Sequence, residues 1–365
     1  MKKNQTNQKP GGLEEDSIRS YRTKRRRCLV IGALLLAAIL LLLVAFVGMG
    51  AMNLGFAETW DILLGKITGD AGRLAVHGAN EVAVVWEIRL PRILCGILVG
   101  MGLSVAGVIF QSLLRNPLAD PYTLGVSTGA AFGASLAILL ALTAGIVVST
   151  TAMAFLFAFL TLVVVILISK KGGGIASSNL IIAGIIVSAI LSSGLSFMKM
   201  VAGEDVSAIV FWLMGSLASR EWGDVAIVAP VVLLGSLIAF GFAGDLNVMV
   251  LGDKSARNLG VNTGRIRLLY LILGSCITAA CVAVSGIIGF VGLVVPHMLR
   301  FWLTSDNRLL LPLSGLLGGL LLSVADNATR LLSVSEVPVG VLTTLIGGPF
   351  FIYVFIKRRG GQGVF

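Results

Sequence analysis

The stretch LGDKSARNLGVNTGRIRL, residues 251–268, is a polar and turn-rich interruption of a chain that is otherwise mostly apolar. Asp253 can cap the N-terminus of a short helix, and Gly260 fits the left-handed position that ends such a helix. Ala256 and Leu259 are three residues apart and are predicted to share one helix face. The stretch therefore predicts a structured loop against which another protein can press. An ordinary basic loop is the alternative.

The composition places the chain in a membrane. Of 365 residues, 56% are hydrophobic and only 13% are charged, and the mean hydropathy is +0.97. A soluble globular domain of this length does not have such a composition. Apolar runs of about 20 residues, enough to cross about 30 Å of hydrocarbon, recur along the chain. The 45 glycines suit closely packed membrane helices. We therefore predict an all-α membrane protein.

Ten apolar segments of suitable length follow one another. The first comes directly after the basic run KRRR, residues 24–27, and is too long for the apolar core of a secretory signal. Residues 1–27 are predicted to form a disordered cytoplasmic tail, residues 28–358 one membrane domain, and residues 359–365 a short cytoplasmic tail. The predicted spans are 28–49, 90–114, 123–143, 148–170, 178–201, 224–244, 264–285, 287–303, 308–331 and 338–357.

The distribution of positive charge predicts the orientation. Ten spans put both termini on one side, and 21 of the 28 Lys and Arg residues then lie on that side. Cytoplasmic loops carry such an excess of Lys and Arg, so both termini and the loop at 251–264 are predicted to be cytoplasmic. Thr263 is predicted to cap the helix that follows this loop. The net charge of +10 is thereby explained without a nucleic-acid partner.

The sequence lacks the usual catalytic and metal-binding patterns. It contains no phosphate-binding GxxxxGK[ST], no HExxH, no GxSxG and no cluster of Cys and His with zinc-ligand spacing. We therefore expect no ATPase site, no metal and no cofactor in this chain. Four cysteines without CxxC spacing are interpreted as small residues of membrane helices; they are Cys28, Cys95, Cys276 and Cys281.

Ionisable residues inside the predicted spans are few. Asp326 lies near the end of the ninth span, and Arg330 follows one helical turn later, which allows a pair between them. A secondary carrier driven by protons or sodium usually has buried acidic residues near the membrane centre. Because the sequence offers no convincing set of them, we expect the energy for any transport to come from another protein.

Several long motifs resemble one family, the membrane permeases of bacterial ABC importers for ferric siderophores, haem and vitamin B12. Besides the loop quoted above, these motifs are RLPR at 89–92, QSLLRNPLADPYTLGVSTGA at 111–130, SGIIGFVGLVVPHMLR at 285–300 and EVPVGVLTTLIGGPFF at 336–351. They occur in the family's order. The resemblance covers about residues 55–358 and leaves out the basic N-terminal tail.

The resemblance implies a type II ABC importer permease fold in the bacterial inner membrane. It implies separate ATPase subunits that bind ATP, an extracytoplasmic substrate-binding protein, a second permease copy that is most simply identical, and surrounding lipid. A ferric siderophore or haem is the expected substrate, with cobalamin as the alternative. An ion-coupled secondary carrier and a membrane protein without any substrate are the alternatives from other classes.

The resemblance also assigns roles to residues of this chain. Docking of the binding protein falls to Arg89, Arg92 and Arg330, for which snorkelling to the membrane surface and the Asp326 pair are the alternatives. The cytoplasmic gate falls to Ser177 and Ser178, although Ser178 could also serve as a helix N-cap. Coupling to the ATPase falls to positions in the loop at 251–264, namely Asp253, Lys254, Ala256, Leu259 and Gly260.

Overall fold

The computed structural model describes residues 10–50, 52, 54–172, 175–332 and 337–359, and the regular structure in these ranges is helical. A π-helical turn, Val84–Arg89, joins α4 to α5, and a 3₁₀ turn, Gly203–Asp205, joins α8 to α9. The α-helices are α1 Pro10–Gly48, α2 Phe56–Thr68, α3 Ala71–Ala75, α4 Ala79–Ala83, α5 Leu90–Leu113, α6 Val126–Ala144, α7 Thr150–Lys171, α8 Ser177–Ala202, α9 Val206–Leu213, α10 Trp222–Gly241, α11 Ala243–Val250, α12 Asp253–Asn258, α13 Thr263–Ser285, α14 Val291–Trp302, α15 Asn307–Leu332 and α16 Val339–Arg359.

The predicted all-α membrane fold is confirmed. Each of the ten predicted spans coincides with a helix, and eight helices within the described residues are long and apolar enough to cross a membrane. The other two are shorter, because α14 has 12 residues and the apolar part of α16 runs over Val339–Ile352. The first helix begins at Pro10, so residues 10–27 continue it rather than forming a disordered tail. Residues 1–9 and 360–365 lie outside the described ranges.

The connections between the long helices gather at two ends of the bundle. We call face A the end that carries the loop at 114–125, the start of α8, and α12. Face B is the opposite end, with residues 54–83 and α9. The segment before α5 is fixed to face B by an aromatic pair, because the rings of Trp86 and Trp222 lie 5.1 Å apart and the Trp222 indole N–H donates to the Trp86 carbonyl at 3.0 Å.

Helix α5 is the central helix of the bundle, and most of its residues are buried. It packs against α10, α13, α14 and α15, which is possible because glycines let the backbones approach. A Cβ added at Gly100 would overlap the carbonyl of Gly318 in α15, and one added at Gly107 would overlap the carbonyl of Gly292 in α14. Neither backbone can move away without shifting a whole helix.

We expect Gly107→Val to destabilise the protein by about 3 kcal/mol or more, since the obstacle is backbone and not a flexible side chain. Thermal unfolding of the detergent-solubilised protein measures the loss. Gly223→Val is the control, because a Cβ there meets nothing within 4 Å. Equal unfolding temperatures for the two variants would contradict the close approach of α5 and α14.

Candidate functional sites

The loop at 251–264 contains the expected short helix, α12. Its N-cap is Gly252, with φ of 103°, and Asp253 is the first helical residue, so the prediction that Asp253 is the cap was wrong. The predicted end at Gly260 is confirmed, with φ of 84°. The Gly260 N–H donates to the Arg257 carbonyl and the Val261 N–H to the Ala256 carbonyl, each at 3.0 Å, and this pair of bonds closes the helix.

The two apolar positions of this loop do not share a surface, contrary to the prediction. Ala256 is fully buried against the core, whereas Leu259 is 64% exposed at the end of the helix. The difference arises because the helix ends at Asn258 and Leu259 is already its C-cap. Together with Leu251, which is 65% exposed, and the exposed Lys254, Leu259 forms the outward surface of the loop. We call Leu251, Lys254 and Leu259 the loop surface.

One buried guanidinium connects α12 to the start of α8. Arg267, in α13, is 8% exposed and donates from Nη2 to Oδ1 of Asp253 at 2.7 Å. Its Nη1 donates to the carbonyl of Ile175 at 2.8 Å. The hydrogen bond from Arg267 holds the pKa of the Asp253 carboxyl below its ordinary value, so this carboxylate is charged at neutral pH. Asp253 thus acts as the partner of Arg267.

The cap of α13 is also different from the prediction. Asn262, and not Thr263, is the N-cap, and its side-chain oxygen accepts the N–H of Arg265 at 3.2 Å. Thr263 is the first helical residue and is buried. Asn262 fixes the direction in which α13 leaves the loop, and hence the position of Arg267 one turn later.

The two predicted gate residues begin α8 on face A. The N-cap is Ala176, so the alternative role of Ser178 as the cap was wrong. Ser177 is partly buried, and its hydroxyl points to the Leu113 carbonyl at the end of α5, at a long 3.4 Å. Ser178 is exposed. The gating role of both serines stays a prediction. They lie two and three residues after Ile175, whose carbonyl accepts the hydrogen bond from Arg267.

Helix α8 exposes hydroxyl groups in its second half. Ser192, Ser193 and Ser196 are exposed on it, and the hydroxyls of Ser193 and Ser196 donate to backbone carbonyls one turn earlier. The same exposed surface of α8 also carries large apolar side chains, such as Ile190 at 67% and Phe197 at 61% exposure. Because the hydroxyls of Ser193 and Ser196 are satisfied within the helix, this face is compatible with lipid as well as with water or another protein.

Arg92 lies inside the bundle and not on face B. Its Nε donates to Oδ2 of Asp326 at 2.9 Å and its Nη2 to Oδ1 at 3.1 Å, and the two side chains are 9% and 4% exposed. This two-pronged ion pair joins α5 to α15. The sequence suggested Arg330 as the nearest partner of Asp326, and the structure instead places both Asp326 oxygens against Arg92.

Arg89 and Arg330 both bind the end of α1. Arg89 is 6% exposed and donates to the carbonyls of Val47 and Gly48, each at 2.9 Å, and to that of Met52 at 2.7 Å. Arg330 is partly exposed and donates to two further carbonyls, those of Phe46 at 2.7 Å and Met49 at 2.9 Å. Cations at a helix C-terminus satisfy its unpaired carbonyls and stabilise its dipole. The predicted docking roles of all three arginines stay predictions.

Comparison with known proteins identifies the family. The model of the FecCD transport family matches residues 34–357, nearly the whole described bundle. The chain belongs to the FecCD transport family. This FecCD permease is 40% identical to the cobalamin import system permease protein BtuC of Halobacterium salinarum, over 77% of the chain and 76% of that protein. It is 35% identical to the hemin transport system permease protein HmuU of Yersinia pestis, over 91% and 96%.

A solved structure has the same architecture as this FecCD permease. It is described as an inward-facing conformation of a metal-chelate type ABC transporter, and it matches with a TM-score of 0.77 and 33% identity, over 90% of this chain and 99% of that one. The predicted resemblance and the type II ABC importer permease fold are thereby confirmed. The chain is a multi-pass membrane permease subunit of an ABC transporter and is not itself the ATPase.

Proposed function

We propose that this permease imports an iron-chelate type substrate, a ferric siderophore or haem, and that ATP is bound by separate ATPase subunits and not by this chain. The observation that carries the proposal is the likeness over nearly the whole chain to a metal-chelate type ABC transporter and to a hemin permease. Cobalamin is the second candidate, because the permease of Halobacterium salinarum that is 40% identical is named for cobalamin import.

The proposal includes a second copy of the chain, with the substrate path between the two. Helix α8 is proposed to line this path, because its exposed face adds the hydroxyls of Ser192, Ser193 and Ser196 to an otherwise apolar surface. Exposed apolar residues of α16, such as Leu345 and Ile346, offer area for contact with the other copy. In this arrangement Ser177 and Ser178 stand at the cytoplasmic end of α8, where a gate would be.

The ATPase is proposed to bind face A, which would then be cytoplasmic together with both termini. Supporting this, the loop surface exposes two leucines beside a lysine, and Arg115 and Leu118 of the neighbouring loop are exposed on the same face. Isolated exposed leucines are common, but two of them flanking a short, well-closed helix outside the membrane are typical of a protein contact. The excess of positive charge at this end agrees with a cytoplasmic position.

The substrate-binding protein is proposed to dock on face B. Of the three predicted docking residues, Arg330 is the most accessible, because it is partly exposed whereas Arg89 and Arg92 are 6% and 8% exposed. We assign Arg89 and Arg92 an indirect part, because they fix the end of α1 and the position of α15 beside Arg330. Surface charges of this kind steer association and choose the partner more than they add affinity.

Purification of the tagged chain from native membranes in mild detergent tests the proposal. We expect an ATPase with a phosphate-binding loop and a substrate-binding protein to co-purify and to be identified by mass spectrometry. Titration of that binding protein with haem, ferric siderophores and cobalamin then names the substrate. A chain that stays alone after crosslinking and carries out uptake without ATP would establish the secondary carrier instead.

A further inference from the structure

We propose that Arg267 is the positioning residue that carries movement of α12 to the gate end of α8. The inference rests on the proposed function, in which the ATPase moves α12 and α8 gates the path. Its basis is the double contact of one guanidinium, with Asp253 of α12 at 2.7 Å on one side and the carbonyl of Ile175 at 2.8 Å on the other. Ile175 precedes the predicted gate residue Ser177 by two positions.

The shape of the guanidinium suits this role. It is planar and rigid, and its donors point in different directions. A displacement of Asp253 therefore moves the guanidinium, and with it the point at which its other donor binds the Ile175 carbonyl. Burial strengthens both contacts, since Arg267 is 8% exposed and water does not compete freely for its donors. A lysine has a single ammonium centre on a flexible stem and cannot hold both partners in a fixed relation.

Among the described residues, Arg267 makes the direct hydrogen-bonded link between α12 and the residues before α8. Ala256 packs into the core, and the bonds that close the helix at Gly260 stay within the loop. Among the described residues, no ion pair of α12 other than that between Asp253 and Arg267 occurs. Arg115 and Arg257 also lie close enough to affect the charge of Asp253, but neither is hydrogen-bonded to Ile175 or Ala176, the described residues directly before α8.

The effect is measurable as nucleotide-dependent labelling of a thiol at the gate. Ser178 is exposed, and a Ser178→Cys variant, with Cys28, Cys95, Cys276 and Cys281 replaced by serine or alanine, reports access to the start of α8. In the complex with its ATPase in lipid nanodiscs, we expect the maleimide labelling rate to differ about fivefold or more between the nucleotide-free and the ATP–vanadate state. Arg267→Gln should bring this ratio close to one, while the ATPase still binds.

Three further variants test whether Arg267 transmits movement from α12 to α8 or only stabilises the fold. Arg267→Lys keeps the charge and should still lose the nucleotide dependence, since it cannot bridge both partners. Exchange of the pair, Asp253→Arg with Arg267→Asp, should recover part of the thermal stability lost in Arg267→Gln but not the labelling response, because an aspartate cannot donate to the Ile175 carbonyl. Arg265→Gln is the matched control, an exposed arginine two residues away in the same helix, and should keep the full response.

A full nucleotide response in Arg267→Gln, or its recovery in the exchanged pair, would overturn the proposal. Absence of any response with Arg267 intact, although the ATPase binds and hydrolyses ATP, would overturn both the linkage and the gate assignment. Failure of any ATPase to bind the permease is a different result, because it removes the proposed function itself.

Discussion

Arg92→Ala should destabilise the protein by about 3–5 kcal/mol, the largest loss that we expect from a single side chain. The substitution leaves the Asp326 carboxyl group inside the bundle, where it is 4% exposed and has lost both guanidinium donors. Asp326→Ala should cost a similar amount, because it leaves the charge of Arg92 buried. Unfolding by a denaturing detergent, followed by circular dichroism, measures the difference in free energy.

A double replacement distinguishes the pair from the packing around it. Arg92→Met with Asp326→Leu removes both charges and keeps much of the volume, so it should recover most of the stability lost by either single variant. Arg73→Ala is the control, since its ion pair with Asp61 is 47% and 35% exposed and screened by water, so its loss should be far smaller than that of Arg92→Ala. A double variant no more stable than the single ones would show that the ion pair is not the cause.

Leu259→Asp should weaken binding of the ATPase by about 2 kcal/mol, roughly thirtyfold. The leucine is 64% exposed on the loop surface, and a carboxylate there would be desolvated in the interface without a partner. Because Leu259 is outside α12 and makes few internal contacts, the variant should unfold at the same temperature as the parent. Titration of the purified ATPase onto the permease in nanodiscs measures the affinity.

The control for this substitution lies on the opposite face. Val76 is 81% exposed on face B, so Val76→Asp changes a similar surface away from the proposed ATPase contact and should leave the affinity unchanged. Ala256→Asp is unsuitable as a test of binding, because Ala256 is fully buried and an unpaired carboxylate there would disrupt the loop itself. Unaltered affinity in Leu259→Asp would contradict the proposed contact.

The features that the sequence predicted correctly depend on local patterns. Apolar runs predicted the long helices, and a glycine suited to positive φ predicted the end of α12 at Gly260. The errors arose where neighbours in sequence were taken as partners in space. Asp326 and Arg330 are one turn apart and suggested a pair, while the true partner, Arg92, is 234 residues away.

The sequence by itself therefore determined the class of the protein, its helices, its family and the position of the loop at 251–264. The tertiary structure alone decided which charges are buried together and which side chains remain on the surface. The physical reason is that nearly every helix here is apolar on all sides, so hydrophobic periodicity does not reveal which face meets which helix. The bridge from Asp253 through Arg267 to Ile175 spans three separate segments, and no local pattern in any of them indicates the other two.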